Sequence, residues 1–299
     1  MTVPETEAIS PRYRGFDTWS DREILEALWE GQAGAVAAVR AALPMIATAA
    51  DAIAARLGDG AGRLVYAGAG SSGQQAAIDA AELRATFGWP PERTLYFRAE
   101  IRPPGTTGAG EDDAARAVAI VAETGIGSSD AVIAVAASGT TAYTVALAGA
   151  ARKAGALVVA IANRSGAPLL ADADVPILLD TGPEVIAGST RLNAGTAQKA
   201  TLGMLSTLVM TRLGRIHDGM MVELPVDREK FARRAVTIVA AIAGCDAATA
   251  EGALDATGKR IKPAVLVALG ADATMAEALL AAAGDNLRRA LALLAAERP

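Results

Sequence analysis

Aromatic residues are scarce: four Phe, four Tyr and three Trp make up 4% of the 299 positions. The core must therefore be assembled from Ala, Val, Leu and Ile, and a nucleic-acid module that stacks bases on aromatic rings is disfavoured. Cysteine and histidine occur once each, as Cys245 and His217. One cysteine cannot close an internal disulfide, which fits a reducing cytoplasm. A zinc site of the usual nitrogen and sulfur ligands cannot be built from this pair, and a serine–histidine triad has only His217 to draw on. Basic residues number 28 against 33 acidic ones, a net charge of −5, which argues against a broad binder of phosphate backbones. The first 17 residues carry Pro, Glu and Arg without an apolar run, so no signal peptide is expected there. No unbroken stretch of 18 apolar residues occurs, so no membrane span is expected.

What is present is a chain of 52% hydrophobic residues, long enough for two domains or for one large domain with an appendage. Residues 1–18 are polar, contain Pro4, Pro11 and Gly15, and read as an extended arm. Ser20 and Glu23 form a capping-box pattern, followed by Ile24, Leu25, Leu28 and Trp29 at helical spacing. A second helix is expected from Ala33 to Leu57, stopping at Gly58-Asp59-Gly60. Five short apolar runs then read as strands: 63–67, 94–97, 131–137, 156–162 and 175–179. Several are apolar throughout, as strands covered on both faces are. Helices are expected between them at 72–87, 112–123 and 141–154, the alternation of a parallel α/β sheet. After Asp180 no further strand is expected. A helix is read over 190–213, a turn over 214–219, another helix over 227–243, and three short Ala-rich helices over 245–297. Gly258 and Gly284 each precede a basic pair and an apolar run, 26 residues apart, which reads either as a weak internal repeat or as the ordinary likeness of Ala-rich helices.

The first strand opens into Gly68-Ala69-Gly70-Ser71-Ser72-Gly73. This matches the dinucleotide pattern G-x-G-x-x-G, but the acidic residue wanted after the second strand is represented only by Glu100, 32 residues after Gly68 and late for that role. Ser71 and Ser72 instead place hydroxyls and backbone N–H groups at a helix N-terminus, which suits a phosphate monoester. The third strand repeats the device with Ser138-Gly139-Thr140-Thr141. One such loop is also what turns and caps require. Two, after separate strands of one sheet, favour a site for a small phosphorylated metabolite. A third loop, 181–199, is rich in Gly, Ser and Thr. It contains Glu184, Ser189 and Thr190, and leads into a helix expected to carry Arg191 and Lys199 near one face; it reads either as a solvated helix start or as one wall of the pocket.

Gly182-Pro183-Glu184 through Lys199 resembles the signature of the N-acetylmuramic acid 6-phosphate etherase and glucokinase regulatory protein group. The resemblance extends to the first Gly-Ser loop, to Ala136-Ala137-Ser138-Gly139 and to Met204-Leu205-Ser206-Thr207. It implies a sugar isomerase (SIS) domain over 19–243: an α/β fold with a five-stranded parallel sheet flanked by helices. It also implies a small all-α, ubiquitin-associated-like domain over 244–299, a homodimer, a phosphorylated amino sugar as ligand and no cofactor. The group's chemistry is elimination of D-lactate from an opened sugar ring, followed by hydration. By resemblance of Asp79-Ala80-Ala81-Glu82 and Gly110-Glu111-Asp112-Asp113 to the segments that hold the group's two catalytic glutamates, Glu82 is the acid that assists lactate departure. Glu111 is the base at C2. The substrate-binding set so implied is Gly70, Ser71, Ser72, Ser138, Gly139, Thr140, Thr141, Glu184, Ser189, Thr190 and Lys199. His217 is added because histidines in such folds can open the sugar ring.

The chain departs from that pattern at Gln74 and Thr140, where arginines are usual, at Leu83-Arg84-Ala85, where Cys-Pro-Pro is usual, and at Asn193, where a lysine is usual. Arg84, Arg98 and Arg102 are the basic residues available to compensate. The functions to be separated are the etherase, an aldose–ketose phosphosugar isomerase and a noncatalytic phosphosugar sensor. No DNA-binding helix-turn-helix is evident.

Overall fold

The computed structural model describes residues 7–58, 60–99 and 110–297. Five parallel strands, β1 (Leu64–Gly68), β2 (Thr94–Arg98), β3 (Ala131–Val135), β4 (Leu157–Ala162) and β5 (Val175–Leu178), form one sheet in the order β2-β1-β3-β4-β5. The register sets Leu64 opposite Ala131 and Gly68 opposite Val135. Every residue of β1, β3 and β4 is buried, because helices cover both faces and leave no face for polar alternation. On one face Val65, Ala67, Val132, Ala134, Val158 and Ala160 pack with Leu147 and Ala151 of α4 (Ala142–Lys153) and with Ile120 and Val121 of α3 (Ala114–Glu123).

The chain divides into two compact units. The sheet unit holds Met1–Ala80 with Glu92–Leu208, and the helical unit holds Ala81–Pro91 with Val209–Pro299. The dividing lines cut α2 (Gly70–Phe87) and α6 (Asn193–Arg212). The helical unit thus starts before the expected boundary at 243/244. Ala235, Ile238 and Val239 of α7 (Glu229–Ala243) share a core with Ala250, Leu254, Ile261 and Val265, so α7 belongs with the C-terminal helices.

Several expectations are corrected. A single helix, α1 (Asp21–Leu57), replaces the two helices expected before β1. Its capping box forms as expected, with Ser20 N donating to Glu23 Oε2 at 2.9 Å. Gly31 does not interrupt it: a Cβ there would stand 2.6 Å from Asn193 Oδ1 and 2.9 Å from Val185 Cγ2, so the glycine lets α1 approach the 183–193 loop closely. By length and composition alone α1 is also apolar enough to cross a membrane, with a mean hydropathy of 1.5 over 18 residues of which a third are buried. The bent pairs α7 with α8 (Ala247–Ala256) and α9 (Ile261–Ala268) with α10 (Ala273–Ala282) pass the same test if each counts as one span. Counting unbroken apolar runs misses α1 because Arg40, Pro44 and Thr48 interrupt its run while the window mean stays apolar.

The described part of the arm, 7–18, contains two single turns of 3-10 helix, Pro11–Tyr13 and Phe16–Thr18, in place of extended chain. Tyr13, Phe16 and Trp19 meet ring to ring and fold it back. Strands do recur after Asp180: β6 (Ile216–His217) and β7 (Met220–Met221) pair as a hairpin. Its two-residue loop, Asp218-Gly219, has φ of 46° and 75°, the twist that Asp-Gly hairpin turns supply. The C-terminal segment holds four helices, not three, the last being α11 (Leu287–Ala296). Asp272 caps α10 by accepting from Met275 N at 2.8 Å, which separates α9 from α10.

Candidate active site

The chain leaves β1 to form β2 on one side and returns to form β3 on the other. The carboxyl ends of β1 and β3 therefore flank the topological switch point, where open parallel sheets bind ligands. The two hydroxyl-rich loops leave these two strand ends. α2 begins at Gly70, immediately after β1. Ser72 is buried and Ser71 half-buried in its first turn. After β3, Thr140 donates to Ser138 Oγ from both its N–H (3.3 Å) and its hydroxyl (3.0 Å). Thr141 occupies the N-cap of α4 without a side-chain bond to the helix.

Glu111 joins the two loops. Its Oε1 lies 2.7 Å from the point where a Cβ on Gly70 would stand, and its backbone carbonyl accepts from Tyr143 N at 2.9 Å. The carboxylate thus sits at the positive end of α2, while its backbone is fastened to the start of α4. The 181–192 loop closes on the same place, with Ser71 Oγ 3.0 Å from Thr190 Oγ1. The structure so brings together Gly70, Ser71, Glu111 and Thr190, with the second hydroxyl loop on the neighbouring strand.

Glu184 has a task of its own. It is buried, and its two oxygens accept from Asn193 N (2.8 Å) and Ala194 N (3.0 Å), capping α6. Burial holds its carboxyl above the usual range, while the two N–H groups pull the other way. This cap starts α6 at Asn193, so Arg191 falls in the preceding turn and does not share a helix face with Lys199. Lys199 is half-buried on α6, and Ser189 is half-buried in the loop.

A model of the SIS domain matches residues 122–208, which run from the end of α3 to α6 and include the second hydroxyl loop. An N-acetylmuramic acid 6-phosphate etherase of Deinococcus radiodurans is 45% identical over 276 residues, covering 90% of each chain. One of Streptomyces avermitilis is 40% identical over 267 residues, 89% of this chain and 86% of that one. One of Burkholderia lata is 39% identical over 299 residues, 97% and 96%. The chain belongs to the N-acetylmuramic acid 6-phosphate etherase family.

The two glutamates singled out by resemblance to this family fall in different units: Glu111 in the sheet unit, Glu82 in the helical unit. Glu82 is exposed on α2, three residues beyond Asp79. His217, also in the helical unit, is buried in the β6–β7 hairpin with Nε2 3.4 Å from Asp218 Oδ2. Burial pushes its pKa down, the Asp218 carboxylate raises it and the Arg288 guanidinium lowers it further. Of the positions where the resemblance leads one to expect a cation, Gln74 and Thr140 are exposed and Asn193 is buried. Arg98 ends β2 opposite Gly68, and its Cγ lies 2.9 Å from where a Cβ on Gly73 would be. It also lines a cavity of ≈ 330 Å³ together with Tyr96, Gly110 and Tyr143. Arg84 lies 3.9 Å from Asp227 in the helical unit. Glu100 and Arg102 lie outside the described residues.

Two buried polar groups escape sequence reasoning. Asp79 accepts from the Tyr66 hydroxyl (2.8 Å) and the Ser206 hydroxyl (3.1 Å), which fixes α2 to β1 and α6. The available signal is an acid between Ala76 and Leu83 on the apolar stripe of a helix. Asn163, at the end of β4, donates through its backbone to Ala137 O (2.9 Å) and accepts from Gln198 Nε2 (2.8 Å). It thereby ties the second hydroxyl loop to α6, and nothing in its sequence context announces this.

Proposed function

We propose that this chain is a carbon–oxygen lyase that converts N-acetylmuramic acid 6-phosphate and water to N-acetylglucosamine 6-phosphate and D-lactate, in the recycling of cell-wall amino sugars. The observation that carries the reading is the carboxylate of Glu111 lying against Gly70 at the switch point, in a chain whose relatives of that name match it nearly end to end. The hydroxyls of Ser71, Ser72, Ser138, Thr140 and Thr141, with the N-termini of α2 and α4, take the phosphate. Glu184, Ser189, Thr190 and Lys199 form the wall beside it, and Arg98 supplies positive charge lost at Gln74 and Thr140.

In the open-chain sugar the C1 aldehyde acidifies the C2 proton. Glu111 takes that proton, the electron pair forms the C2–C3 double bond, and the C3–O bond breaks. Glu82 donates its proton to the departing lactate oxygen. Water then adds across the double bond: its hydroxyl goes to C3 as Glu82 recovers a proton, and Glu111 returns a proton to C2. One carboxyl starts ionised and the other protonated, which requires unlike surroundings. His217 is the group proposed for ring opening.

A homodimer is part of the proposal. Leu25, Trp29, Val36 and Leu43 line the outer face of α1 and are 65%, 70%, 51% and 45% exposed, a self-complementary stripe that a second copy would cover. A phosphorylated substrate and a lone half-buried Cys245 suit the cytoplasm. The deciding experiment is D-lactate release from N-acetylmuramic acid 6-phosphate by the purified chain. An isomerase exchanges the C2 proton with solvent and releases no lactate, and a sensor binds the phosphosugar and does neither.

A further inference from the structure

The helical unit contains a chain of alternating charges that ends on α2. Lys262 of α9 is fully buried; its ammonium donates to Asp285 O (2.7 Å) and Asp285 Oδ2 (2.8 Å) and pairs with the carboxylate of Glu223, Oε1 at 2.8 Å. The other oxygen of Glu223 lies 4.0 Å from Arg215 Nη1. Arg215 in turn donates to Phe87 O (2.8 Å), the last carbonyl of α2, and to Gly88 O (3.1 Å) just after it. Its guanidinium also lies over the ring of buried Trp89, 5.0 Å from the centroid. Gly88 has φ of 59°, and a Cβ there would meet Glu223 O at 2.0 Å.

A surface salt bridge needs none of this. Cationic groups on helix C-terminal carbonyls are common, but here the cation is also tied through Glu223 and Lys262 to the C-terminal helices. Glu82 precedes Phe87 by five residues on the same helix, about 7.5 Å of helical rise. Whatever fixes the last turn of α2 fixes the azimuth of Glu82.

We propose that Arg215, braced by Glu223 and Lys262, is a positioning residue for Glu82, and that the C-terminal helices serve the site by holding the end of α2. The proposal rests on the reading of Glu82 as the acid of lactate departure. Its signature is selective: a displaced acid slows C3–O cleavage, whereas proton removal at C2 belongs to Glu111 in the other unit.

The test compares wild type, E82Q, R215M and R215K as full-length chains. It measures D-lactate release and solvent-deuterium incorporation at C2, both with N-acetylmuramic acid 6-phosphate. R215M is expected to lower kcat for lactate release at least tenfold, with KM and deuterium incorporation within twofold of wild type. R215K keeps a charge beside Glu223 but lacks the planar guanidinium that lies over Trp89, and is expected to raise the exchange-to-release ratio as well. R215K carries the test if R215M does not fold. If release and exchange fall together in the Arg215 variants while E82Q alone raises their ratio, the positioning role is overturned and the reading of Glu82 stands. If E82Q leaves the ratio unchanged, the role of Glu82 falls and the inference with it.

Discussion

A methyl group on Gly70 would stand 2.7 Å from the Oε1 of Glu111. This glycine also has φ of 53°, a conformation that strains any L side chain. Gly70→Ala is therefore expected to cost about 1–2 kcal/mol of stability and, separately, to push the Glu111 carboxylate off the start of α2. Lactate release should fall at least tenfold at temperatures where the variant remains folded. Urea unfolding and steady-state kinetics on one preparation measure the two effects; unchanged kcat and KM in a folded variant would detach Glu111 from the chemistry.

The two glutamates should be distinguishable by what each variant retains. Glu111→Gln removes the base at C2, so both solvent exchange and lactate release should drop by three orders of magnitude or more, the scale of a lost general base combined with its positioning. Glu82→Gln should stop lactate release and keep measurable exchange at C2. Full activity in both variants would contradict the assignment.

Much of the sheet unit is legible in the sequence because parallel strands buried on both faces leave apolar runs that nothing else in the chain imitates; β1, β3 and β4 fall within two residues of where those runs end. Legibility fails where one residue serves a distant partner. The second helix expected from Ala33 is continuous with the first through Gly31, a glycine on which Asn193 and Val185 press closely. Arg191 reads as helical until Glu184 is seen capping the helix two residues later. The hydroxyl loops announce an anion site through local chemistry alone, whereas Glu82 and Glu111 look like ordinary solvated acids and are singled out by resemblance. Asp218-Gly219 carried a hairpin signal that the shortness of its flanking strands concealed.

Trp29, Val36 and Leu43 recur every seven residues along the outer face of α1, with Leu25 one turn before Trp29. A charge in the middle of such a stripe cannot be desolvated cheaply by a second copy. Sedimentation velocity should show a dimer for the wild type and a shift toward monomer of at least tenfold in Kd for Trp29→Glu or Val36→Glu, with unfolding midpoints little changed at high dilution. A monomeric wild type would assign the stripe to something else.

Asp130 binds Arg63 with both oxygens, Oδ2 to Nη2 at 2.7 Å and Oδ1 to Nε at 3.0 Å, and accepts from Arg63 N and Gly127 N. Burial works against its ionised form, but the Arg63 guanidinium and these N–H groups outweigh it and hold the carboxyl below the usual range. Asp130→Asn leaves a largely buried guanidinium with a neutral partner at the amino end of β1 and β3. The expected loss is about 2–3 kcal/mol, read as a lower urea midpoint at unchanged slope, with kcat preserved because the pair lies at the sheet edge opposite the hydroxyl loops.

His217 gives the protein a pH response with a definite sign. Its burial depresses the imidazole pKa below the ordinary 6.5, and the Arg288 guanidinium adds to this against the pull of Asp218. Between the folded value and about 6.5 the unfolded chain binds more protons than the folded one, so acidification favours unfolding. Its contribution to stability is complete above about pH 6.5 and is lost as pH falls toward the depressed folded value. Glu184, whose carboxyl burial raises, has the opposite slope, so the informative quantity is a difference. Urea midpoints of wild type minus those of His217→Gln, measured from pH 7.5 to 5.0, should fall as the pH is lowered. A flat difference would mean that the imidazole accepts its proton inside the hairpin as readily as in the unfolded chain.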